Sequence, residues 1–415
     1  MLNAEIRRSR AWLHSQKMNQ KKDNPIGILV FLFLIGLLAE LDYQLIPPLL
    51  PLLAKNFGVD PSYGGRAVTL YSLSSAFFSL LFGFLSDRLG RKPFILLGLL
   101  CFSSVSFLTR YAVSIETFFL LRFLSGMATG ALVPSMTSFA ADYFRYEQRG
   151  RAMGILSMPY FVAAIVGIPL AAVVASTWGW RLIFLVLSAA AFGCATLVYW
   201  MLTNPLTKVE AVPNIQRLGL ERIQLVWKGI IRNRETSSIL VASMLSSSAI
   251  VGFITYLGIH LVADRQLSVK QVGLVYLFCG TASLLGAPLS GILSDIWAKR
   301  PILILSGVVL AFCFLLIPTL PWNFWLFGAL GLAGLAIAFR IAPFLAILTE
   351  LVPSDERGTV LALRVALSQL GIALTVFLAS YVFLYKGFPL VGFMVAMELL
   401  LSSALVFFFV REPET

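Results

Sequence analysis

The chain has 415 residues, of which 59% are hydrophobic and 13% charged, and its mean hydropathy is +0.87. Soluble domains carry roughly 25% charged residues, so a soluble chain of this composition could not cover its surface with polar groups. The composition therefore excludes a soluble chain and predicts a membrane protein with several spans.

After a polar, basic tail (residues 1–25), which lacks the features of a cleaved signal peptide, the chain alternates long apolar runs with short polar loops. A membrane-spanning helix needs about 20 apolar residues, and runs of this length satisfy their backbone in lipid as helices. The predicted fold is all-α, with twelve transmembrane helices. Their predicted bounds are 26–53, 64–85, 93–111, 115–142, 151–175, 181–203, 237–263, 271–293, 301–319, 322–349, 358–384 and 388–410.

The first span carries two acidic residues near its middle, Glu40 and Asp42. On a helix Glu40 shares its face with Gly36, Tyr43 and Gln44, whereas Asp42 lies about 200° away. A charge at mid-membrane costs roughly 2.5–3.5 kcal/mol on insertion scales and indicates function. The polar face suits a water-filled cavity, so we expect Tyr43 and Gln44 to line a substrate cavity. Periodicity favours Glu40 as the contact for a substrate cation, and Asp42 remains the alternative.

The loop after the second span concentrates charge within a few residues of "GFLSDRLGRK" (Gly83–Lys92). Asp87 ends the second span, Arg91 precedes the third, and Asp142 ends the fourth span on the same side. We predict that Asp87, Arg91 and Asp142 form a network of ion pairs that acts as a conformational latch, with Gly83 allowing close helix approach. The alternative is that the basic residues serve only to set the topology.

Arg122 lies about seven residues inside the outer end of the fourth span. Burial disfavours the charged form of a carboxyl group, and a nearby cation favours it. A carboxyl group of the first span close to Arg122 could therefore load and release a proton as its surroundings change. We predict a proton-coupling site made of Glu40, Asp42 and Arg122. A static buried ion pair is the alternative.

A polar segment, 204–236, separates the sixth and seventh spans and is expected to be a partly amphipathic linker on the cytoplasmic membrane face. Beyond it, three charged residues fall inside spans: Arg340, Arg364 and Glu398. Arg340 is a candidate for the substrate cavity, where it would bind an anionic group, but the sequence leaves open whether it faces the cavity.

The two halves of the chain repeat each other at an offset of 208 residues. "GILSDIWAKRPILILSG" begins at Gly291, which matches Gly83. The offset also pairs Asp87 with Asp295, Lys92 with Arg300, and Asp142 with Glu350. We therefore expect two parallel six-helix bundles, 26–203 and 237–410. The second latch is predicted to consist of Asp295, Lys299 or Arg300, and Glu350. The positions equivalent to Glu40, Asp42 and Arg122 are uncharged: Ser248, Ile250 and Leu330.

The distribution of Lys and Arg predicts the orientation. An even number of spans puts both chain ends on one side, whose loops and tails hold 22 of these residues against 7 on the other. Because positive loops stay in the cytoplasm, both termini, including the short tail 411–415, are expected there. The net charge of +12 is then a topology signal and not a sign of nucleic-acid binding.

Several segments resemble one family of transporters. "GFLSDRLGRK" resembles the loop signature of the major facilitator superfamily between its second and third helices. "LLRFLSGMATGA" (Leu120–Ala131), which contains Arg122, is similar to the fourth-helix signature of proton-coupled drug antiporters in that family. "LDYQLIPPLLP" (Leu41–Pro51) resembles their first-helix pattern. "IVGIPLAA" (Ile165–Ala172) matches the fifth-helix signature in part, with two alanines in place of its closing glycines.

The resemblance implies a twelve-helix transporter that works by alternating access. The leading interpretation is a proton-coupled exporter of drugs or amphiphilic metabolites. The alternative is a proton-coupled importer or facilitator of a sugar or organic anion, and a receptor or scaffold is a further class. The expected partners are a small-molecule substrate, protons and the lipid bilayer, and we expect a monomer in a bacterial inner membrane. No enzyme activity, cofactor or metal is expected, since four cysteines in apolar runs and two histidines form no recognisable site.

Overall fold

The computed structural model describes residues 25–144, 146–202, 233–296, 298–352 and 357–411, and within these ranges it contains helices and no strands. The short helical turns are Pro61–Gly64, Ala163–Gly167 (a wide π-helical turn) and Ile317–Thr319. The α-helices are α1 Pro25–Gln44, α2 Ile46–Phe57, α3 Gly65–Leu89, α4 Arg91–Thr109, α5 Ile115–Tyr143, α6 Tyr146–Val162, α7 Ile168–Thr177, α8 Trp180–Met201, α9 Arg234–Ala263, α10 Val269–Ile296, α11 Lys299–Leu316, α12 Phe324–Glu350, α13 Arg357–Lys386 and α14 Phe388–Phe409.

Within the described ranges, twelve helical stretches are long and apolar enough to cross a membrane, which confirms the predicted all-α fold. Helices α1 to α8 pack mainly with one another, with strong contacts of α3 and α4 with α5 and of α4 with α8. Helices α9 to α14 form a second group, in which α9 packs on α13 and α14, and α10 on α12. The protein is therefore two six-span bundles placed side by side.

Some of the predicted segments fall outside the described ranges. The basic tail up to residue 24, residues 203–232 of the linker region and residues 412–415 are among them. The predicted linker also reaches too far along the chain. Asn233 caps α9 by accepting hydrogen bonds from two backbone N–H groups, and the helix begins at Arg234.

The first span, predicted over 26–53, is interrupted near its middle. It ends at Gln44 and resumes at Ile46, with a turn at Leu45 between the two parts. Pro47 and Pro48 follow the break. Neither has a backbone N–H, so neither can bond to the carbonyl four residues earlier as a continuous helix requires. The break lies directly after the acidic stretch of α1.

The fifth span also changes geometry near its middle, in the π turn between α6 and α7. Pro169 follows this turn, and its ring would clash with the carbonyl of Ile165 in a regular helix. Gly167 lies in the turn, and a Cβ atom there would collide with the side chain of Leu41 on α1. The π turn and the break in the first span therefore lie near each other.

The two bundles meet closely on one side. We call the side at which α1 begins and α14 ends the terminus side, and the other the opposite side. On the opposite side the hydroxyl of Ser380 donates to the carbonyl of Ser62 at 2.9 Å, across the two bundles. A Cβ atom on Gly258 would lie 3.1 Å from the carbonyl oxygen of Pro47. Helix α7 packs along α10, whereas α6, the terminus-side part of the same span, contacts α10 at few places.

Candidate functional site

A cavity lies between the two bundles near their middle. Both bundles contribute to its wall, which is mostly apolar and rich in aromatic rings. Its principal polar and aromatic lining residues are Tyr43, Gln44, Tyr160, Phe161, Tyr276 and Ser283. The cavity can therefore accept a molecule with a large apolar surface and a few polar groups.

Tyr43 and Gln44, which the sequence placed in a cavity, lie in this wall. The Gln44 side-chain amide donates to Glu40 Oε2 at 2.9 Å and to the carbonyl of Tyr160 at 3.0 Å. The ring of Tyr43 packs against that of Tyr71, with centroids 5.3 Å apart. Glu40 is partly exposed and thus joins the cavity wall through Gln44.

Asp42 points the other way, into the first bundle. Arg122 Nη1 donates to Asp42 Oδ1 at 2.9 Å, and both residues are 0% exposed. The guanidinium carbon of Arg122 lies 5.6 Å and 5.1 Å from the ring centres of Phe118 and Phe184. Asp42 Oδ2 and the Nε and Nη2 atoms of Arg122 have no hydrogen-bond partner in the described part of the chain.

The three residues predicted as one proton-coupling site are therefore divided by α1. Glu40 contacts Gln44 on the cavity side, and Asp42 contacts Arg122 inside the bundle. The two acids lie on different faces of one helix, about half a turn apart, as the helical period requires. Any movement of this part of α1 changes the surroundings of both.

Arg340 does not line the cavity, which corrects that expectation. Its guanidinium lies inside the second bundle and donates to Ser246 Oγ at 2.6 Å, the Leu303 carbonyl at 2.8 Å and Ser402 Oγ at 2.9 Å. It is 1% exposed. A Cβ atom on Gly307 would collide with the guanidinium, so the glycine leaves room for it. Arg340 thus joins α9, α11 and α14.

Sequence analysis missed the role of the serines in α9. Besides Ser246, which binds Arg340, Ser243 accepts a hydrogen bond from Arg364 at 2.8 Å. Ser248 Oγ lies 2.9 Å from Glu398 Oε2. The signal is in the sequence as "SMLSSS" (Ser243–Ser248), a polar stretch in an otherwise apolar span. Ser243, Ser246 and Ser248 point toward different neighbouring helices, and each of these three serines meets a charged side chain.

Two ion pairs on the terminus side lie at equivalent positions of the two bundles, 208 residues apart in the sequence. Arg91 Nε lies 3.2 Å from Asp142 Oδ2, and Lys299 Nζ lies 2.5 Å from Glu350 Oε1. Arg91 also donates to Ser86 Oγ at 3.1 Å. Each pair joins helices of one bundle and does not bridge the two bundles. Of the two candidates for the second latch, Lys299 is the partner of Glu350.

The residue after Arg91 and the residue after Lys299 each bind the last span of their own bundle. Lys92 donates to the carbonyl of Tyr199 at 2.9 Å, and Arg300 donates to the carbonyl of Phe407. Both pairs obey the offset of 208 residues. The side chains of Asp87 and Asp295, two further latch candidates, lie outside the described part of the structure.

Gly83 does not make the close helix contact that the sequence suggested. A Cβ atom there would meet Pro134 Cβ at 3.9 Å, an ordinary contact, and one on Gly291 would meet nothing within 4 Å. The turn after the second span has nearly the same backbone conformation in both bundles: Gly90 has φ +96° and its counterpart Ala298 has φ +89°. Space therefore remains beside Gly83 on the terminus side.

A family model and two related proteins agree on the family to which this chain belongs. A sequence model described as Major Facilitator Superfamily matches residues 32–322 and 239–415. The chain is 27% identical over 377 residues to the uncharacterized MFS-type transporter YceJ of Bacillus subtilis, covering 89% of this chain and 93% of that protein. It is 26% identical over 379 residues to the multidrug resistance protein MdtG of Proteus mirabilis, with 88% and 90% covered.

Among solved structures, a D-xylose–proton symporter superposes with a TM-score of 0.76. The match covers 93% of this chain and 98% of the symporter, at 17% sequence identity. This likeness concerns the fold, including the arrangement of the twelve spans.

Proposed function

Because this chain belongs to the Major Facilitator Superfamily, and is thus a membrane transporter, we propose that it exports amphiphilic compounds in exchange for protons. The observation that carries the proposal is the arrangement on α1. One carboxyl group, Glu40, adjoins an apolar, aromatic cavity, and a second, Asp42, is sealed against Arg122 on the other face of the helix. The similarity to a multidrug resistance protein supports export.

The cavity wall favours a substrate with an apolar body and a cationic or polar group. Tyr43, Tyr160 and Tyr276 offer ring faces, which attract cations as well as apolar surface. Gln44 supplies hydrogen bonds, and Glu40, which accepts one of them, supplies an acidic group next to the cavity wall. A substrate cation and a proton would then compete for Glu40, which is the basis of exchange.

The link between this competition and the change of shape is α1. Substrate or proton at Glu40 changes the charge on one face, while the Asp42–Arg122 pair anchors the other face to α5. The break at Leu45 lets α1 shift without moving the whole span. We infer that the ion pair transmits occupancy of the cavity to the first bundle.

Alternating access follows from the contacts between bundles. The close contacts on the opposite side support a conformation whose cavity opens toward the terminus side, which the Lys and Arg bias assigns to the cytoplasm. In the other conformation the terminus side closes, and the space beside Gly83 is then filled. The Arg91–Asp142 and Lys299–Glu350 pairs would hold the helix ends in register for this closure. We place the protein in a bacterial inner membrane, as a monomer.

Proton exchange in proteoliposomes tests the proposal. The purified protein is reconstituted with an internal pH dye and an imposed pH gradient, and lipophilic cations, neutral drugs and organic anions are added in turn. We expect a cation to release protons against its own movement, and Glu40→Gln or Asp42→Asn to abolish the exchange. Ser104→Ala, at an exposed serine that bonds only to its own helix, is the control.

Two results would contradict the proposal. Protons moving in the same direction as the compound would indicate an importer. Normal exchange in both Glu40→Gln and Asp42→Asn would exclude α1 as the coupling site.

A further inference from the structure

A third carboxyl group lies at mid-membrane in the second bundle, and neither the cavity nor the terminus-side ion pairs use it. Glu398 is halfway along α14 and is partly exposed. Its Oε1 accepts a hydrogen bond from Thr375 Oγ1 on α13 at 2.8 Å. Its Oε2 lies 2.9 Å from Ser248 Oγ on α9. Both hydroxyl-bearing residues are buried, so three helices build this environment.

The hydrogen bonds at Ser248 can run in two directions. Its hydroxyl oxygen lies 2.9 Å from Glu398 Oε2 and also 3.0 Å from the carbonyl oxygen of Leu245. A hydroxyl group has one hydrogen to donate, so it cannot donate to both at once. When Glu398 is ionised, Ser248 donates to the carboxylate. When Glu398 carries a proton, its O–H donates to Ser248, which donates to Leu245.

Both protonation states are thus satisfied without moving a heavy atom. Thr375 donates to Oε1 in either state. A buried polar group that loses its partner costs about 1–3 kcal/mol, and neither state of Glu398 incurs that cost. The proton that arrives forms an O–H bond at Oε2 and makes the carboxyl group neutral. A group arranged only to stay charged would need donors alone.

The charged neighbours of Glu398 leave it without an ion pair among the described residues. Arg340 of α12 donates to Ser402, which lies on α14 one turn from Glu398. Arg364 on α13 is bonded to Ser243. On α9 the ionisable side chains nearest to Ser248 along the helix are Tyr256, which donates to the carbonyl of Val376 at 3.2 Å, and His260, which lies 2.6 Å from Asp264. The packed helix α11 contributes Cys313, which is buried. Among the residues that the structure describes, no cation therefore holds Glu398 permanently ionised.

We propose that Glu398, with Ser248 and Thr375, is a reversible proton-binding site in the second bundle, distinct from the acids of α1. Ser248 occupies the position equivalent to Glu40 by the offset of 208 residues, so the second bundle regains a carboxyl group there from another helix. Its partners lie on α9 and α13, which also carry Gly258 and Ser380, residues of the contacts between bundles. A role in coupling would rest on the proposed proton exchange, whereas proton binding would not.

Infrared difference spectroscopy of the full chain in lipid nanodiscs tests the site. Stepping the pH should reveal the carbonyl stretch of a protonated carboxyl group that appears and disappears reversibly. We expect this band to be lost in Glu398→Gln and to persist in Glu40→Gln and Asp42→Asn. Ser248→Ala and Thr375→Val should each shift its frequency, because each removes one hydrogen-bond partner of the same carboxyl group.

An unchanged spectrum in Glu398→Gln would overturn the proposal. If that variant does not fold, a band insensitive to both Ser248→Ala and Thr375→Val overturns it equally. The measurement needs neither substrate nor gradient. A protein that shows the band but fails to exchange protons for compounds would refute the proposed function and leave this site in place.

Discussion

The buried pair of Asp42 and Arg122 is costly to maintain. Taking two charges out of water costs about as much as their attraction returns, so such a pair is weak evidence of stabilisation. Three of its polar atoms lack hydrogen-bond partners in the described chain, and aromatic rings offset only part of that cost. Its position beside the cavity helix gives a better reason for its presence, namely that its state can change when α1 moves.

A second feature at residue scale allows a sharp test of stability. Ala298 has φ +89° and ψ +139°, a region that only glycine adopts without strain, at the position equivalent to Gly90. Ala298→Gly should therefore raise the free energy of unfolding by about 1 kcal/mol, and Gly90→Ala should lower it by about 1–3 kcal/mol. Thermal unfolding in detergent measures both. Equal effects of the same sign would show that the repeated turn is not strained.

At the scale of helices, the terminus-side ion pairs join the start of one helix to the end of another. Arg91 on α4 meets Asp142 on α5 and also Ser86 on α3, so three helix ends are fixed by one side chain. The second bundle repeats the pair with Lys299 and Glu350. Because both pairs lie inside single bundles, we expect them to set helix ends in place for closure and not to bridge the bundles themselves.

Charge reversal tests this role. Asp142→Arg alone should slow transport about tenfold or more, because it puts two like charges together at the helix ends, and Arg91→Glu added to it should recover most of the rate. Initial rates of substrate exchange in proteoliposomes measure the effect, with protein abundance as a control. A double variant no faster than Asp142→Arg would mean that the pair itself is not required.

The sequence predicted the helices better than the contacts between them. Apolar runs locate the spans because lipid imposes their length and leaves helix as the available backbone structure. Pro47 and Pro48 mark a place where a regular helix cannot continue, but a run of apolar residues does not tell that the turn falls at Leu45. The sequence left open whether Arg340 faces the cavity, because it does not tell which side of a helix faces a bundle interior. In the structure three neutral acceptors hold Arg340 inside the second bundle.

Glu398 shows a different reason for failure. The repeat correctly gave Ser248 as the uncharged equivalent of Glu40, but the carboxyl group beside it comes from a helix 150 residues further along the chain. Such a contact depends on how helices pack, which an internal repeat does not specify.

For the whole molecule, the contacts between bundles decide which side is closed. Helix α3 packs along α13, α7 packs along α10, and on the opposite side Ser380 donates to the carbonyl of Ser62. A Cβ atom on Gly273 of α10 would lie 2.9 Å from Ala172 Cβ on α7, so this crossing depends on the absence of a side chain. The balance between the two conformations can therefore be shifted at one residue.

Gly273→Leu should open the opposite side. Each 1.4 kcal/mol of contact free energy lost from one conformation changes the ratio of the two conformations by about tenfold. Cys279, which lines the cavity, reports the change in a protein whose other three cysteines are replaced. We expect a membrane-impermeant maleimide to label it from the terminus side in the parent and from the opposite side in Gly273→Leu. Gly193→Leu, where a Cβ atom meets nothing within 4 Å, is the control. Labelling unchanged by Gly273→Leu would contradict the role of the contact between Gly273 and Ala172 in closing the opposite side.

The interruptions of the first and fifth spans affect how the opposite side opens. Pro47 and Ala172, which touch the second bundle, lie on α2 and α7, beyond the break and the π turn. Those interruptions meet where Leu41 packs against Gly167. Part of the closed side is thus carried by two half-length segments that meet at a common level. Bending these short segments would loosen their contacts with the second bundle while α1 and α6 stay still, so a local movement can begin ahead of any rotation of the bundles.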